Sequence, residues 1–123
     1  MKNNYRTLEI KRGDVVIADF SPVEGSEQGG VRPAVVISND TGNKFSSTII
    51  VALISSKVKK MNPTHTQVKG TNLHTESIVL CEQLRTIDKK RIRQQIGKLK
   101  ASEMLEVDKK IKLSLGILWK KSK

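Results

Sequence analysis

The run Thr48 to Ile54 (Thr-Ile-Ile-Val-Ala-Leu-Ile) constrains the fold more than any other segment. A strand with one solvated face alternates apolar and polar side chains, whereas a run that is apolar at nearly every position has both faces covered. Its β-branched members favour an extended backbone. The segment therefore predicts a central strand. A chain of 123 residues with no internal repeat has the size of one domain around a single modest core.

Other short β-branched runs, punctuated by turn residues, extend this expectation to a barrel-like β-fold. Asp14 to Phe20 is a first strand, entered through Lys11, Arg12 and Gly13 and stopped by Ser21 and Pro22. Pro33 to Ser38 is a second, followed by a turn over Asn39 to Ser46 built from Asn, Asp and Gly. After a lysine-rich loop from Lys57 to Pro63, the alternating Thr64 to Lys69 is a fourth strand and Ser77 to Leu84 a fifth. From Arg85 to Lys100 there are seven basic residues against the single acid Asp88, the composition of a solvated face. Ser102 stands where an N-cap is wanted, with Glu103 and Glu106 in the first turn. Met104, Val107, Ile111, Leu115 and Leu118 then recur at helical spacing, which predicts a terminal helix packed on the β-body and a frayed tail over Lys120 to Lys123.

Charge narrows the partners. Lys and Arg number 23 against 12 Asp and Glu, a formal charge of +11 that favours a polyanion such as nucleic acid, although charge alone names no activity. Cys81 is the lone cysteine, so neither an internal disulfide nor a cysteine metal cage can form; it reads as a buried strand thiol. No apolar run reaches the length of a membrane span. A reduced, cytoplasmic setting without membrane is the expectation.

The chemistry concentrates between Gly25 and Ile37, where a polar glycine loop runs into Arg32 at the mouth of the second strand. Pro33 holds Arg32 in an extended backbone and so presents its side chain at a strand edge. Metal-assisted cleavage needs a cluster of carboxylates or histidines, but the acids are scattered, and His65 and His74 fall in different turns or strands and read as surface or hairpin residues. No Gly-x-Ser-x-Gly elbow occurs. What remains is Arg32, the hydroxyls Ser55 and Ser56 at the end of the third strand, and the loop Ser26-Glu27-Gln28. If the second and third strands are antiparallel neighbours, the start of one lies beside the end of the other and these groups share one rim. A forked guanidinium, a hydroxyl and loop N–H donors match the oxygens of a phosphodiester.

In order and spacing, several segments resemble the MazF/PemK type of toxin from bacterial toxin–antitoxin modules. They are Arg12 to Val15, Gly25 to Pro33, Asn39 to Asn43, Pro63 to His65 and Glu82 to Asp88, and the resemblance spans Ile10 to Ile117. It implies a mainly β fold with α additions, a small half-open Src-homology-3-like barrel of the PemK/CcdB kind with a C-terminal helix, formed by one domain over residues 1–123 and assembled as a homodimer. It also implies sequence-selective, metal-independent, cofactor-free cleavage of single-stranded mRNA, in which the RNA 2′-hydroxyl attacks and leaves a 2′,3′-cyclic phosphate and a 5′-hydroxyl. The family assigns the chemistry to an arginine matching Arg32, to a hydroxyl residue, usually threonine, matching Ser55, and in some members to a glutamate matching Glu27. Ser56 is the alternative hydroxyl.

By the same resemblance Ser26, Gln28, Ser56, Lys57, Gln83 and Arg85 meet the RNA, with a strand-end or dimer role as the alternative for Gln83 and Arg85. Aromatic residues make up 3% of the chain, so recognition leans on polar contacts rather than stacking. An antitoxin with an acidic, disordered segment is the implied restraint on a chain this basic. Two other readings stand beside it: a CcdB-like gyrase-binding toxin without catalysis, which resembles it in architecture, and a plain nucleic-acid-binding module.

Overall fold

The computed structural model describes residues 9–22, 24–25, 29–70, 72–74 and 76–117. Its strands are β1 (Asp14–Asp19), β2 (Val31–Val36), β3 (Thr48–Ser55), β4 (His65–Gln67), β5 (Ile78–Asp88) and β6 (Ile92–Lys98); its helices are α1 (Asp40–Phe45) and α2 (Ala101–Leu115). They form one six-stranded sheet in the order β4-β5-β3-β2-β1-β6, with every pair antiparallel. As its unbroken apolar run requires, β3 lies inside the sheet, paired with β2 on one side and β5 on the other.

Both faces of this inner sheet are buried. Val16 and Ala18 of β1, Ala34 and Val36 of β2, and Ile49, Val51 and Leu53 of β3 point to one face, where they meet Phe20, Ile87 and Ile92. The alternate set, Val15, Val35, Ala52 and Ile54, points to the other and packs with Val79, Cys81, Met104 and Val107. The period-two side-chain geometry of strands thus sorts one continuous apolar sequence into two cores. Register shifts between Ala52 and Leu53 in the β3–β5 pair, and at two points of the β1–β6 pair, bend the sheet. Burial pushes the Cys81 thiol up to about 12 in pKa, so it is an inert core group.

Several expectations are corrected. The segment from Asn39 to Ser46 is not a turn but the short helix α1, N-capped by the Asn39 side chain accepting from Gly42 N at 2.7 Å. The basic stretch after Leu84 is only partly a solvated face: it continues β5 to Asp88, makes a 3₁₀ turn over Lys89–Arg91 and supplies the edge strand β6. Helix α2 begins earlier than Ser102; its N-cap is Lys100, whose backbone N–H donates to the Glu103 carboxylate at 2.9 Å. Of the helical stripe, Met104 and Val107 are buried and Ile111 packs partly, while Leu115 is exposed and Leu118 lies outside the described residues, as do Lys120 to Lys123. Arg12 ties α2 to the sheet, donating from Nε to Ile37 O at 2.9 Å and pairing with Asp108. No helix among the described residues is long and apolar enough to cross a membrane.

Candidate active site

The loop after β1 re-enters the sheet through Gly30, whose φ of +81° is a left-handed conformation open to glycine at little cost; its carbonyl accepts Phe20 N at 2.9 Å. β2 then starts two residues earlier than Pro33, so Arg32 sits within the strand, matched with Ala18 of β1. Pairing of β2 with β3 runs from Val36–Val51 to Ala34–Leu53 and stops there, next to Pro33, which has no N–H to offer. Continued by two residues, that register brings Arg32 level with Ser55. The pairing ends at this point, and a cleft of about 200 Å³ lies there, lined among others by Arg32, Ser55, Ser56 and Lys57.

Ser55 Oγ accepts the backbone N–H of Lys57 at 3.1 Å, which fixes the hydroxyl oxygen and leaves its own proton to donate. A threonine methyl is thus not the only way to hold this hydroxyl. The far wall of the cleft is the segment between β4 and β5. Gly70 lets it lie against β6, since a Cβ there would stand 2.6 Å from Leu99 Cδ2 and 3.2 Å from Lys98 O. Asn72, at φ +61°, donates from Nδ2 to Ile96 O at 2.6 Å. Asn72, Leu73, His74 and Ser77 complete that wall.

The remaining expected residues divide. Gln83 and Arg85 lie on β5 and do not line this cleft; Arg85 stands over the Phe20 ring, 5.7 Å from its centroid, at the foot of the β1–β2 loop. Ser26, Glu27 and Gln28 are outside the described residues. Of the two expected positions, surface or hairpin, His65 takes the second, buried in β4 where it pairs with β5: its Nδ1 accepts Asn62 N at 3.1 Å, and its Nε2 faces Glu82 Oε2 at 3.1 Å. Partial burial works against the Glu82 carboxylate, but hydrogen bonds from His65 and Thr64 hold it below the usual glutamate range. His74, exposed as expected, lines the cleft with Arg32 and Ser55.

A scan against family models matches residues 11–115 to the PemK-like, MazF-like toxins of type II toxin–antitoxin systems. The chain belongs to this family. An Endoribonuclease MazF of Staphylococcus epidermidis is 52% identical over 111 residues, covering 88% of this chain and 92% of that protein. The crystal structure of MazF from Deinococcus radiodurans superposes with a TM-score of 0.79 at 28% identity, covering 89% of this chain and 99% of that one. A MazE–MazF crystal structure from the same organism gives 0.72 at 27% identity, covering 90% and 99%. These matches support the ribonuclease toxin, not the gyrase-poison alternative. For a MazF-like chain the β2–β3 rim is notable because the described geometry joins a guanidinium, two hydroxyls and a lysine there, as the strand order led one to expect. His74 was not foreseeable as their neighbour, because its placement depends on Gly70 and Asn72 docking a loop onto a strand absent from the sequence reading.

Proposed function

We propose that this chain is a sequence-selective endoribonuclease toxin that cleaves single-stranded mRNA without a metal, with Arg32 and Ser55 as the groups that act on the scissile phosphate. The observation that carries the reading is the cleft that Arg32 and Ser55 share where the pairing of β2 with β3 ends. The RNA 2′-hydroxyl gives its proton to water as its oxygen attacks the adjacent phosphorus, the P–O5′ bond breaks, and the departing O5′ takes a proton from water, leaving a 2′,3′-cyclic phosphate and a 5′-hydroxyl. Arginine holds its proton with a pKa above about 12, so Arg32 acts as a forked cation on the non-bridging oxygens rather than as a base. Such oxyanion stabilisation is worth about 10²- to 10³-fold in rate.

Ser55 is the favoured hydroxyl over Ser56, because the Lys57 N–H orients its oxygen. Glu27 is a further contributor, and Ser26, Gln28, Ser56, Lys57, Gln83 and Arg85 hold the RNA on either side of the cut. In this reading charge stabilisation falls to Arg32. The chain works as one domain over residues 1–123, in a homodimer, in the bacterial cytoplasm where mRNA is met. Its restraint is a cognate antitoxin with an acidic disordered segment, a reading supported by the charge of +11 and by the MazE–MazF complex of the Deinococcus relative.

The test is cleavage of a mixed RNA pool in EDTA, with end analysis of the fragments. Cyclic-phosphate and 5′-hydroxyl ends are expected, and a 2′-deoxy or 2′-O-methyl group at the scissile nucleotide should abolish cutting. Undiminished cleavage of the 2′-O-methyl substrate would overturn the mechanism.

A further inference from the structure

The two histidines of the chain are treated in opposite ways. Both ring nitrogens of His65 are taken up inside the protein, by Asn62 N and by Glu82. His74 is exposed on the wall of the Arg32–Ser55 cleft, and among the described residues only its Nδ1 has a partner, accepting the backbone N–H of Glu76 at 3.1 Å. An acceptor at Nδ1 means that the neutral ring carries its hydrogen on Nε2, so the ring offers a donor of fixed identity. It is also held in place: Ser77 N donates to His74 O at 3.1 Å, and Leu73 N to Gly70 O at 3.3 Å. Because the tautomer is set by a backbone donor, this histidine is suited to reading an acceptor rather than to shuttling a proton.

The rest of the cleft suits a flat, uncharged ring. Its apolar lining comes from Ile17, Pro33, Ile54, Leu73 and Ile96, and its charged residues Arg32 and Lys57 match the phosphates that would flank such a ring. A cavity of about 150 Å³ holds a benzene-sized molecule. The roughly 200 Å³ here therefore has room for one base and little more.

We infer that this cleft binds the base of a nucleotide adjoining the scissile phosphate, and that His74 selects a keto base, uracil or guanine, by donating from Nε2 to its exocyclic oxygen. The inference rests on the ribonuclease reading for the position of the phosphate. Cytosine and adenine present an amino group at the corresponding edge, which leaves donor facing donor and an unpaired group on each side. His74 is thus a specificity residue that touches the base, and the reaction itself makes no demand on it.

The experiment compares wild type, His74→Ala and His74→Glu on a randomised RNA pool, with base frequencies read at each position around the cuts. Wild type should favour uracil or guanine over cytosine and adenine at one position next to the cut, by roughly tenfold. His74→Ala should lose that preference and keep the others. His74→Glu, with an acceptor in place of the donor, should turn it toward cytosine or adenine. Unchanged frequencies in His74→Ala, or a loss spread evenly over all positions, would overturn the assignment. A parallel arm measures binding of uncleavable 2′-O-methyl RNAs that differ only at that position. If wild type cuts no RNA, the ribonuclease reading fails and the binding arm alone decides the pocket, an equal affinity of wild type for keto and amino bases counting against it.

Discussion

The two ends of β3 are built from the same kinds of residue and used in opposite ways. At the Thr48 end the polar groups satisfy one another: Asn43, 1% exposed, donates from Nδ2 to Ser38 O at 2.8 Å, and its side-chain oxygen takes the Ser38 hydroxyl. Ser38 Oγ in turn accepts Ile50 N at 3.0 Å, and the buried Lys89 donates its ammonium to Asn43 O. At the Ser55 end, Ser56, Lys57 and His74 are exposed around an open cleft, and Pro33 stands where the β2–β3 pairing stops. Buried polar groups that are mutually bonded fix a fold, while exposed ones beside a gap are available to a ligand. The contrast assigns stability to the Ser38–Asn43–Lys89 cluster near one end of the strand and recognition to the cleft at the other.

The sharpest way to break that division is Arg32→Ala. Single-turnover cleavage should fall by about 10²- to 10³-fold while the thermal midpoint stays near that of the wild type. Arg32→Lys should not restore the rate, because an ammonium lacks the planar fork that spans two phosphate oxygens. A lysine variant with full activity would reduce Arg32 to a point charge. At the other end, Asn43→Ala should do the converse, costing about 2 kcal/mol of stability in a urea titration by removing the donor to Ser38 O and leaving the Ser38 hydroxyl only a long contact to Ile50 O, with cleavage per folded molecule unchanged. A smaller effect is expected at Ser55. Removing its hydroxyl in Ser55→Ala should slow cleavage by about tenfold, whereas Ser55→Thr keeps the oxygen and should cut at least as fast as the wild type. A greater loss in Ser56→Ala would move the working hydroxyl one residue along.

How far each end could be read from the sequence follows the same division. The β-branched runs behind β1, β2, β3 and β5 stand out because both faces of those strands are buried, and the meeting of Arg32 with Ser55 follows from antiparallel neighbours alone. β6 stays hidden because it is an edge strand. Its Arg93, Gln94 and Gln95 are exposed, and only Ile92 and Ile96 carry apolar bulk toward the cores. Helix α1 is hidden for a different reason: Asp-Thr-Gly-Asn has turn composition, and the helix is held by the Asn39 cap and by tertiary bonds from Arg12 and Ser38, not by propensity. The early start of α2 depends on Glu103 folding back to Lys100 N while also accepting Lys69 N at 2.6 Å, a contact made over 34 residues. The burial of His65 and the placing of His74 are equally long-range, so no local pattern announces them.

His65 tests the rule from within, since it lies toward the Ser55 end yet is engaged as the groups at the Thr48 end are. Its partner Glu82 has a carboxyl held below the usual glutamate range: burial opposes the charge, but the hydrogen bonds from His65 and Thr64 outweigh it. A carboxyl depressed in the folded state adds stability above its unfolded pKa of about 4.3, and that contribution fades as the pH falls from there through the folded value. Wild type should therefore keep this contribution down to about pH 4.3 and lose thermal midpoint as the pH falls below it, and Glu82→Gln should lose less over that acid range, having less to lose. The difference is the smallest expected here, because the Glu82 side chain is 35% exposed and solvent screens it. An identical acid slope in the two proteins would mean that the His65–Glu82 contact orders the β4–β5 pair without stabilising it.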